Sequence, residues 1–315
     1  MLHSTDLPPE LEPRVAKIDS AISIRFATDA ELGSALTGAD ALLVWDFTIG
    51  DALRGAWDTA GALRWVHTAS AGVDRLTFHE MVDSEVVLTN SRGVFDTPMA
   101  EYVLTLILAM AKDLPGTLRQ QNRREWRHRE TETVSGRSAV VVGGGPIGSA
   151  IAALLRAVGM RVELVGRRAR PGVLSIGELP TLLSDTDFLV LAAPLTEQTR
   201  GMANAELLAR LPASARLINV GRGALVVEPD LIEALSTGRL AGAGLDVFAT
   251  EPLPADSPLW AMPEVIVSPH MSGDTLGWRD SLVELFTDNL VRYRSGQPLR
   301  NVVDKARGYV SSGSL

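Results

Sequence analysis

Between Ser138 and Leu155 the chain carries no charged residue, and Gly143-Gly144-Gly145-Pro146 breaks the run near its start. By length the stretch approaches a membrane span, but a backbone of three glycines and a proline cannot continue a helix. What fits is a buried strand at Val140-Val141-Val142, a glycine turn, and an apolar helix over Ala150 to Val158. Gly143, Gly145 and Gly148 then stand in the G-x-G-x-x-G spacing, in a strand–turn–helix setting. The first glycine makes the tight turn, the second lets the backbone approach a pyrophosphate, and the third lets helix pack close to strand. Unpaired N–H groups at the start of the helix, around Pro146 and Ile147, suit phosphate oxygens. A glycine turn by itself can be purely structural; its setting here favours a dinucleotide.

The end of the next strand decides which dinucleotide. An NAD site places Asp or Glu there for the ribose hydroxyls, whereas arginine accommodates the 2′-phosphate of NADP. The segment reads Val162-Glu163-Leu164-Val165-Gly166-Arg167-Arg168, so glycine and two arginines stand where the acid would be. NADP(H) is the preferred cofactor, with NAD(H) as the lesser alternative. The plainer account makes Arg167 and Arg168 a solvated turn.

Alternation of apolar strands and helices extends along the rest of the chain. Strands are expected at 22–26, 41–45, 65–67 and 86–89, with helices between, such as 29–36. Six more are expected at 139–142, 162–165, 188–192, 217–220, 243–246 and 265–267, which describes a doubly wound sheet. Thr97-Pro98 is expected to open a long helix and Pro115-Gly116 to end it. Its apolar residues, Met99 to Met110, cover so wide a surface that burial between domains or subunits is expected there, with a homodimer interface favoured. Leu282, Leu285, Phe286, Leu290 and Tyr293 mark a closing helix, stopped by Ser295-Gly296.

Composition narrows the chemistry. Lys+Arg number 30 against 38 Asp+Glu, a net charge of −8, which disfavours nucleic acid as a partner. Cysteine is absent, excluding disulfides, thiolate nucleophiles and Cys-ligated metal, and no metal site is expected. The first ten residues hold two prolines, Asp6 and Glu10 but no cationic start before an apolar run. A cytoplasmic protein with no membrane partner is the expectation. The arginines at 119, 123, 124, 127 and 129 are broken by Glu125 and Glu130 and read as a solvated connector.

Later segments put polar residues at strand ends, where an open α/β sheet holds its ligands. They are Asn219-Val220-Gly221-Arg222-Gly223, then Gly244 through Asp246 to Glu251-Pro252, and Ser268-Pro269-His270-Met271-Ser272-Gly273. With Ser70-Ala71-Gly72-Val73-Asp74, Ala100-Glu101 and Pro194-Leu195-Thr196 in the same order, the chain resembles the D-isomer-specific 2-hydroxyacid dehydrogenase family from about Ala69 to Asn301.

The resemblance implies an α/β fold of two doubly wound parallel-sheet domains with a cleft between. A Rossmann cofactor domain, residues 95–274, is inserted in a smaller flavodoxin-like substrate domain made of 1–94 and 275–315. It implies that Arg222 binds the substrate carboxylate and polarises its 2-oxo group, a task suited to a guanidinium. His270 gives a proton to the carbonyl oxygen as hydride reaches carbon. Glu251 pairs with the histidine and favours its charged form. Ser70, Ala71 and Gly72 bind the substrate carboxylate. Asp246 lies near the nicotinamide, and Pro194, Thr199, Val220, Gly221, Ser272 and Gly273 complete the cofactor contacts. His3, His67, His79 and His128 lack any such setting and read as tail, surface or core.

The expected reaction is reduction of a small 2-oxo acid, of the glyoxylate or hydroxypyruvate kind, with NADPH. Rivals are a phosphoglycerate dehydrogenase, a formate dehydrogenase (disfavoured because Glu251 stands where those enzymes carry glutamine) and a nucleotide-binding corepressor-like interaction protein. One departure concerns the smaller domain. Only about twenty residues precede Ile22, so its first strand is either reduced to Met1–Thr5 or absent, and Leu7 to Asp19 reads as one polar helix. Residues Trp45 to Ile49 are expected to face the substrate.

Overall fold

The computed structural model describes residues 2–3, 10–46 and 49–310. Two compact units form: Met1–Phe95 with Thr275–Leu315, and Asp96–Asp274.

The first unit is built on a five-stranded parallel sheet of β1 (Leu2–His3), β2 (Phe26–Ala27), β3 (Ala41–Val44), β4 (Trp65–Thr68) and β5 (Val87–Thr89). Their order is β2-β1-β3-β4-β5, the flavodoxin-like winding. The first strand is therefore present but reduced to two residues, paired with β2 on one side and β3 on the other. So short a strand offers its neighbour only two positions, and β2 is correspondingly confined to Phe26–Ala27. The expected strand over Ile22–Phe26 does not form. Ile22 and Ile24 instead lie in irregular backbone and pack against the apolar cluster that includes Leu11 and Val15 of the helix Leu11–Ile18.

Successive strand residues face opposite sides, as the two-residue period requires. Leu42, Val44 and Val66 join one apolar layer, and Leu43 and Trp65 join another with Val283, Phe286 and Leu290 of the closing helix Trp278–Arg294. Residues 29–36 divide into a tight 3-10 turn, Asp29–Glu31, and a short helix, Leu32–Leu36. At the carboxyl end of the closing helix, Ser295 and left-handed Gly296 stop it where expected. Phe47 and Thr48, within the Trp45–Ile49 stretch expected to face substrate, lie outside the described residues, as do Leu7 to Pro9 and Ser311 to Leu315.

The second unit carries seven parallel strands: β6 (Ser138–Val142), β7 (Arg161–Gly166), β8 (Leu174–Ser175), β9 (Phe188–Leu191), β10 (Arg216–Asn219), β11 (Gly242–Leu245) and β12 (Val265–Val267). Their order is β12-β11-β10-β9-β6-β7-β8. The chain enters at β6 and winds outward both ways, so the switch of direction falls between β6 and β9. The sheet has one strand more than expected, because two-residue β8 is too short to show a period. Val140 and Val142 face one apolar layer, and Ala139 and Val141 face the other, which explains why the sequence around them is apolar throughout.

The long helix spans Asp96–Ala111, beginning one residue before Thr97 could cap it. Pro115-Gly116 does not end it. The helix stops at Ala111, and Pro115 lies in the first turn of a second helix, Leu114–Arg123, whose start is capped by Asp113 accepting from Gly116 N–H at 3.0 Å. Proline suits that position because it has no N–H to leave unpaired. The wide apolar surface of Asp96–Ala111 is covered inside its own unit. Ala100, Val103, Leu106, Ile107 and Ala111 pack with Ile151, Ala152 and Leu155 of the helix Pro146–Ala157 and with Val141, Val190 and Ile218 of the sheet. Of its large apolar residues only Leu108 is exposed, so its apolarity has an explanation other than a second copy. Among the described residues, no helix is long and apolar enough to cross a membrane.

Candidate active site

All the strand ends that matter lie on one edge of the seven-stranded sheet. Gly143 follows β6, Pro194 follows β9, Arg222 follows β10, Asp246 follows β11, and His270 follows β12. In a parallel sheet this is the carboxyl edge, beside the switch point.

The three motif glycines differ in why they are glycine. Gly143 has φ +137°, and a Cβ on it would sit 2.4 Å from the Ala192 carbonyl oxygen. A Cβ on Gly148 would sit 1.7 Å from the Gly143 carbonyl oxygen. Both are demanded by the protein's own packing. Gly145 is not: its φ of −80° suits any residue, and a Cβ there would meet nothing within 4 Å. A bare backbone facing open space at the N-terminus of Pro146–Ala157 fits a group that must approach closely, as a pyrophosphate would. The residues present therefore fit a dinucleotide. Gly166 closes β7, with Val173 Cγ1 only 2.9 Å from where its Cβ would stand. Arg167 and Arg168 are exposed beyond it. Arg170, which sequence reasoning passed over, brings its guanidinium to the glycine loop and donates to the Gly144 carbonyl. Its place in the same arginine-rich turn was the available signal.

Other expected cofactor residues are engaged within the protein. Thr199 Oγ1 donates to the Pro194 carbonyl at 2.7 Å and accepts from Thr196 N–H at 2.9 Å, closing a small loop after β9. Val220 is buried, and a Cβ on Gly221 would meet Leu225 Cδ1 at 2.7 Å. Asp246 is wholly buried, and Ser272 is nearly so with its N–H donating to Asp246 Oδ2, while Gly273 is half-buried.

The structure brings Arg222, Glu251 and His270 together. His270 Nδ1 lies 2.8 Å from Glu251 Oε2, and Glu251 Oε1 accepts from the Phe248 N–H at 2.9 Å. Burial acts to raise the Glu251 carboxyl. The His270 and Phe248 hydrogen bonds and the charges of His270 and Arg222 outweigh it and hold the carboxyl below its ordinary value. An ionised Glu251 accepts the Nδ1 proton, which turns Nε2 away from it as the ring atom for chemistry. His270 itself is left-handed, φ +52°, an uncommon conformation for a side chain of its size.

Arg222 is held through Asn219, whose side chain accepts from the Gly221 N–H at 3.1 Å and donates to the Arg222 carbonyl at 2.9 Å. Asn219 is buried, and sequence reasoning assigned it no part. Gly223 must be glycine, since a Cβ would sit 1.9 Å from Phe248 backbone atoms.

In the first unit, Ser70, Ala71 and Gly72 follow β4. Asn90 Nδ2 donates to the Ala71 carbonyl at 2.6 Å, and Ser70 Oγ to the Gly72 carbonyl at 2.7 Å. Each tied carbonyl turns the N–H of the next residue the opposite way, since the two point apart across one peptide plane. Of the histidines not expected in the site, His67 is completely buried.

Comparison with known proteins agrees. Residues 104–272 match the family described as D-isomer specific 2-hydroxyacid dehydrogenase, NAD binding domain. A glyoxylate/hydroxypyruvate reductase A of Arabidopsis thaliana is 33% identical over 281 residues, 87% of this chain and 85% of that protein. A D-isomer specific 2-hydroxyacid dehydrogenase from Xanthobacter autotrophicus Py2, solved in complex with NADPH and MES, is similar with a TM-score of 0.83 and 32% identity, covering 98% of this chain and 100% of that one. An NADPH-dependent glyoxylate/hydroxypyruvate reductase from Sinorhizobium meliloti, solved with NADP and sulfate, is similar with a TM-score of 0.80 and 30% identity over 98% and 99% of the two chains. The chain belongs to the D-isomer-specific 2-hydroxyacid dehydrogenase family and is an NAD(P)-dependent oxidoreductase.

Proposed function

We propose that this protein reduces a small 2-oxo acid of the glyoxylate or hydroxypyruvate kind to its D-2-hydroxy acid, with NADPH preferred over NADH. The observation that carries the reading is the imidazole–carboxylate pair, 2.8 Å apart, whose carboxylate also feels the Arg222 charge. Arg222 binds the substrate carboxylate and polarises the 2-oxo group, with Ser70, Ala71 and Gly72 also assigned to substrate binding. His270 Nε2 donates a proton to the carbonyl oxygen, and Glu251 steadies the imidazolium that gives it. Gly143, Gly145, Pro146, Ile147 and Gly148 would hold the pyrophosphate, and Arg167 and Arg168 the 2′-phosphate, with Arg170 beside them. When bound, the reduced nicotinamide supplies the hydride that reaches the 2-oxo carbon. Proton on oxygen and hydride on carbon together make the alcohol.

The test follows NADPH absorbance with glyoxylate, hydroxypyruvate and a panel of longer 2-oxo acids. The two short acids are expected to turn over fastest. Silence across the panel from folded, NADPH-binding protein overturns the proposal and favours an interaction protein.

Replacing both arginines, Arg167→Ala with Arg168→Ala, is expected to raise KM for NADPH about tenfold or more. Loss of charge-assisted bonds to a phosphate has that size. KM for NADH, which has no 2′-phosphate, is expected to move little; equal changes for both cofactors refute the phosphate assignment.

A homodimer belongs to the same proposal, with its contact moved away from the buried face of Asp96–Ala111. Leu108, Leu114, Leu118 and Trp126 are the exposed apolar residues of this region. Sedimentation at several concentrations checks it.

A further inference from the structure

β5 is the last strand of the five-stranded sheet, so one side of it has no parallel neighbour. The segment over 301–310, part of the same unit, covers that side. Thr89 and Val302 pair antiparallel, and the Val303 N–H donates to the Leu88 carbonyl at 2.8 Å. Val303 and Val310 are buried in the apolar layer that includes Leu88. Lys305 pins the segment further, its Nζ donating to the Met81 and Val86 carbonyls at 2.9 and 3.0 Å. An open edge is a template for pairing with another chain, and covering it is an ordinary remedy. Asn301 does more than cover.

It grips the backbone just past β5 from two sides. Its carbonyl accepts the Asn90 N–H at 3.3 Å, and its Nδ2 donates to the Asn90 and Arg92 carbonyls at 3.2 and 2.9 Å. Both hydrogens of the side-chain amide are thereby used. Asn90 is buried, and its own Nδ2 donates to the Ala71 carbonyl at 2.6 Å. Beside it, the Ser91 N–H donates to the Ser70 carbonyl at 3.0 Å. The turn after β5 thus holds two successive carbonyls of the turn after β4, and Ser70 Oγ holds a third, that of Gly72. Across each peptide plane the next N–H faces the opposite way, so these bonds set the directions of the Ala71, Gly72 and Val73 N–H groups.

From this we infer that Asn301, acting through Asn90, is a positioning residue for the substrate carboxylate. N–H groups whose directions are fixed before the anion arrives lose little on binding it, whereas a loose turn must first be ordered. The role rests on the assignment of Ser70, Ala71 and Gly72 to that carboxylate. A carboxylate is unchanged by the reaction, so the effect falls on substrate binding and not on the chemical step.

Asn301 is left-handed, φ +56°, and glycine adopts that conformation freely. Asn301→Gly therefore removes the side-chain amide and keeps the backbone bonds. It is expected to raise KM for the 2-oxo acid about tenfold, the worth of a hydrogen bond lost from a buried group. With uniform binding alone affected, kcat is expected to hold within about threefold, and the NADPH Kd from fluorescence titration to stay unchanged. Asn90→Ala is expected to raise KM at least as much. Since Asn301 acts through Asn90, adding Asn301→Gly to Asn90→Ala is expected to change KM little further. An unchanged KM in Asn301→Gly, equal rises in both backgrounds, or a loss of stability without the split between KM and kcat overturns the inference. A readout without turnover keeps this apart from the substrate reading, and decides the matter with Asn301→Gly alone if Asn90→Ala does not fold. Labelling alanine carbonyl carbons with ¹³C and glycine nitrogens with ¹⁵N singles out Ala–Gly peptide bonds, and that of Ala71-Gly72 is the one lost in Gly72→Ala. Its signal is expected to move in Asn301→Gly; an unchanged signal overturns the inference whether or not any 2-oxo acid is reduced. A signal that moves in a protein reducing no 2-oxo acid overturns the substrate reading instead, and leaves the link from Asn301 to Ala71 standing.

Discussion

Replacing His270 with alanine is expected to cut kcat by about 10²–10⁴-fold, the usual worth of a positioned general acid. The residue stands at the carboxyl edge of the sheet, with Nδ1 fixed on Glu251 and the charge of Arg222 close by. No other described histidine lies in that arrangement: His67 is completely buried in the first unit, and His79 pairs with Asp83 on an exposed helix. Alanine keeps the strain of the left-handed backbone at 270, so His270→Asn is the better-controlled companion, because asparagine tolerates that conformation. Asparagine cannot release a proton at neutral pH, so both variants are expected to lose turnover alike while NADPH binding persists. Near-normal turnover in either removes His270 from the mechanism. Recovery in the asparagine variant alone would trace the alanine loss to backbone strain.

The second large effect is one of stability, at His67. Burial pushes this imidazole down to about 3 from an ordinary 6.5. It sits among Trp65, Phe286 and Thr89, with Nδ1 2.8 Å from Thr89 Oγ1, and Thr89 Oγ1 also accepts the Trp65 indole N–H at 2.8 Å. The folded state holds the ring neutral, so only the unfolded chain takes up its proton as pH falls below about 6.5. The contribution is present in full above that pH and is lost progressively toward pH 3, at about 1.36 kcal/mol per unit. By pH 4.5 the loss is about 2–3 kcal/mol, a large share of the stability of an ordinary domain. Denaturant midpoints of wild type and His67→Asn at pH 7 and pH 4.5 measure it, since carboxylates titrate in both and cancel in the difference. The variant, less stable at pH 7, is expected to fall less on acidification by that 2–3 kcal/mol. Parallel falls would mean another group titrates.

Reading from sequence succeeded where one short segment carries its own reason. Gly143 and Gly148 are glycine because of atoms a few positions away or on the next strand, and the spacing reports this directly. Arg222, Glu251 and His270 are singled out through the family resemblance, and the fold sets Arg222 and His270 at strand ends with Glu251 bonded to His270. Reading failed where the reason lay in a distant partner. The sequence marks the face of Asp96–Ala111 for burial but does not say that Ile151, Ala152 and Leu155 cover much of it within its own unit. Strands β1 and β8, two residues each, exist through pairing with neighbours and have no period of their own. Asn219 looks like an ordinary polar residue at a strand end until its partners, the Gly221 N–H and the Arg222 carbonyl, are in place.

What the chain determined by itself was chemistry and periodicity: where the longer strands and helices form, which dinucleotide motif opens the larger sheet, and which side chains can bind a carboxylate or give a proton. Tertiary structure alone decided where those side chains point. Asp246, twenty-four positions before His270, accepts the N–H groups of Met271 and Ser272, and the burial of His67 depends on Trp65, Thr89 and Phe286, drawn from three separate segments. Directional bonds and dehydration act between atoms that only folding brings within a few ångströms, so neither can be written in local pattern.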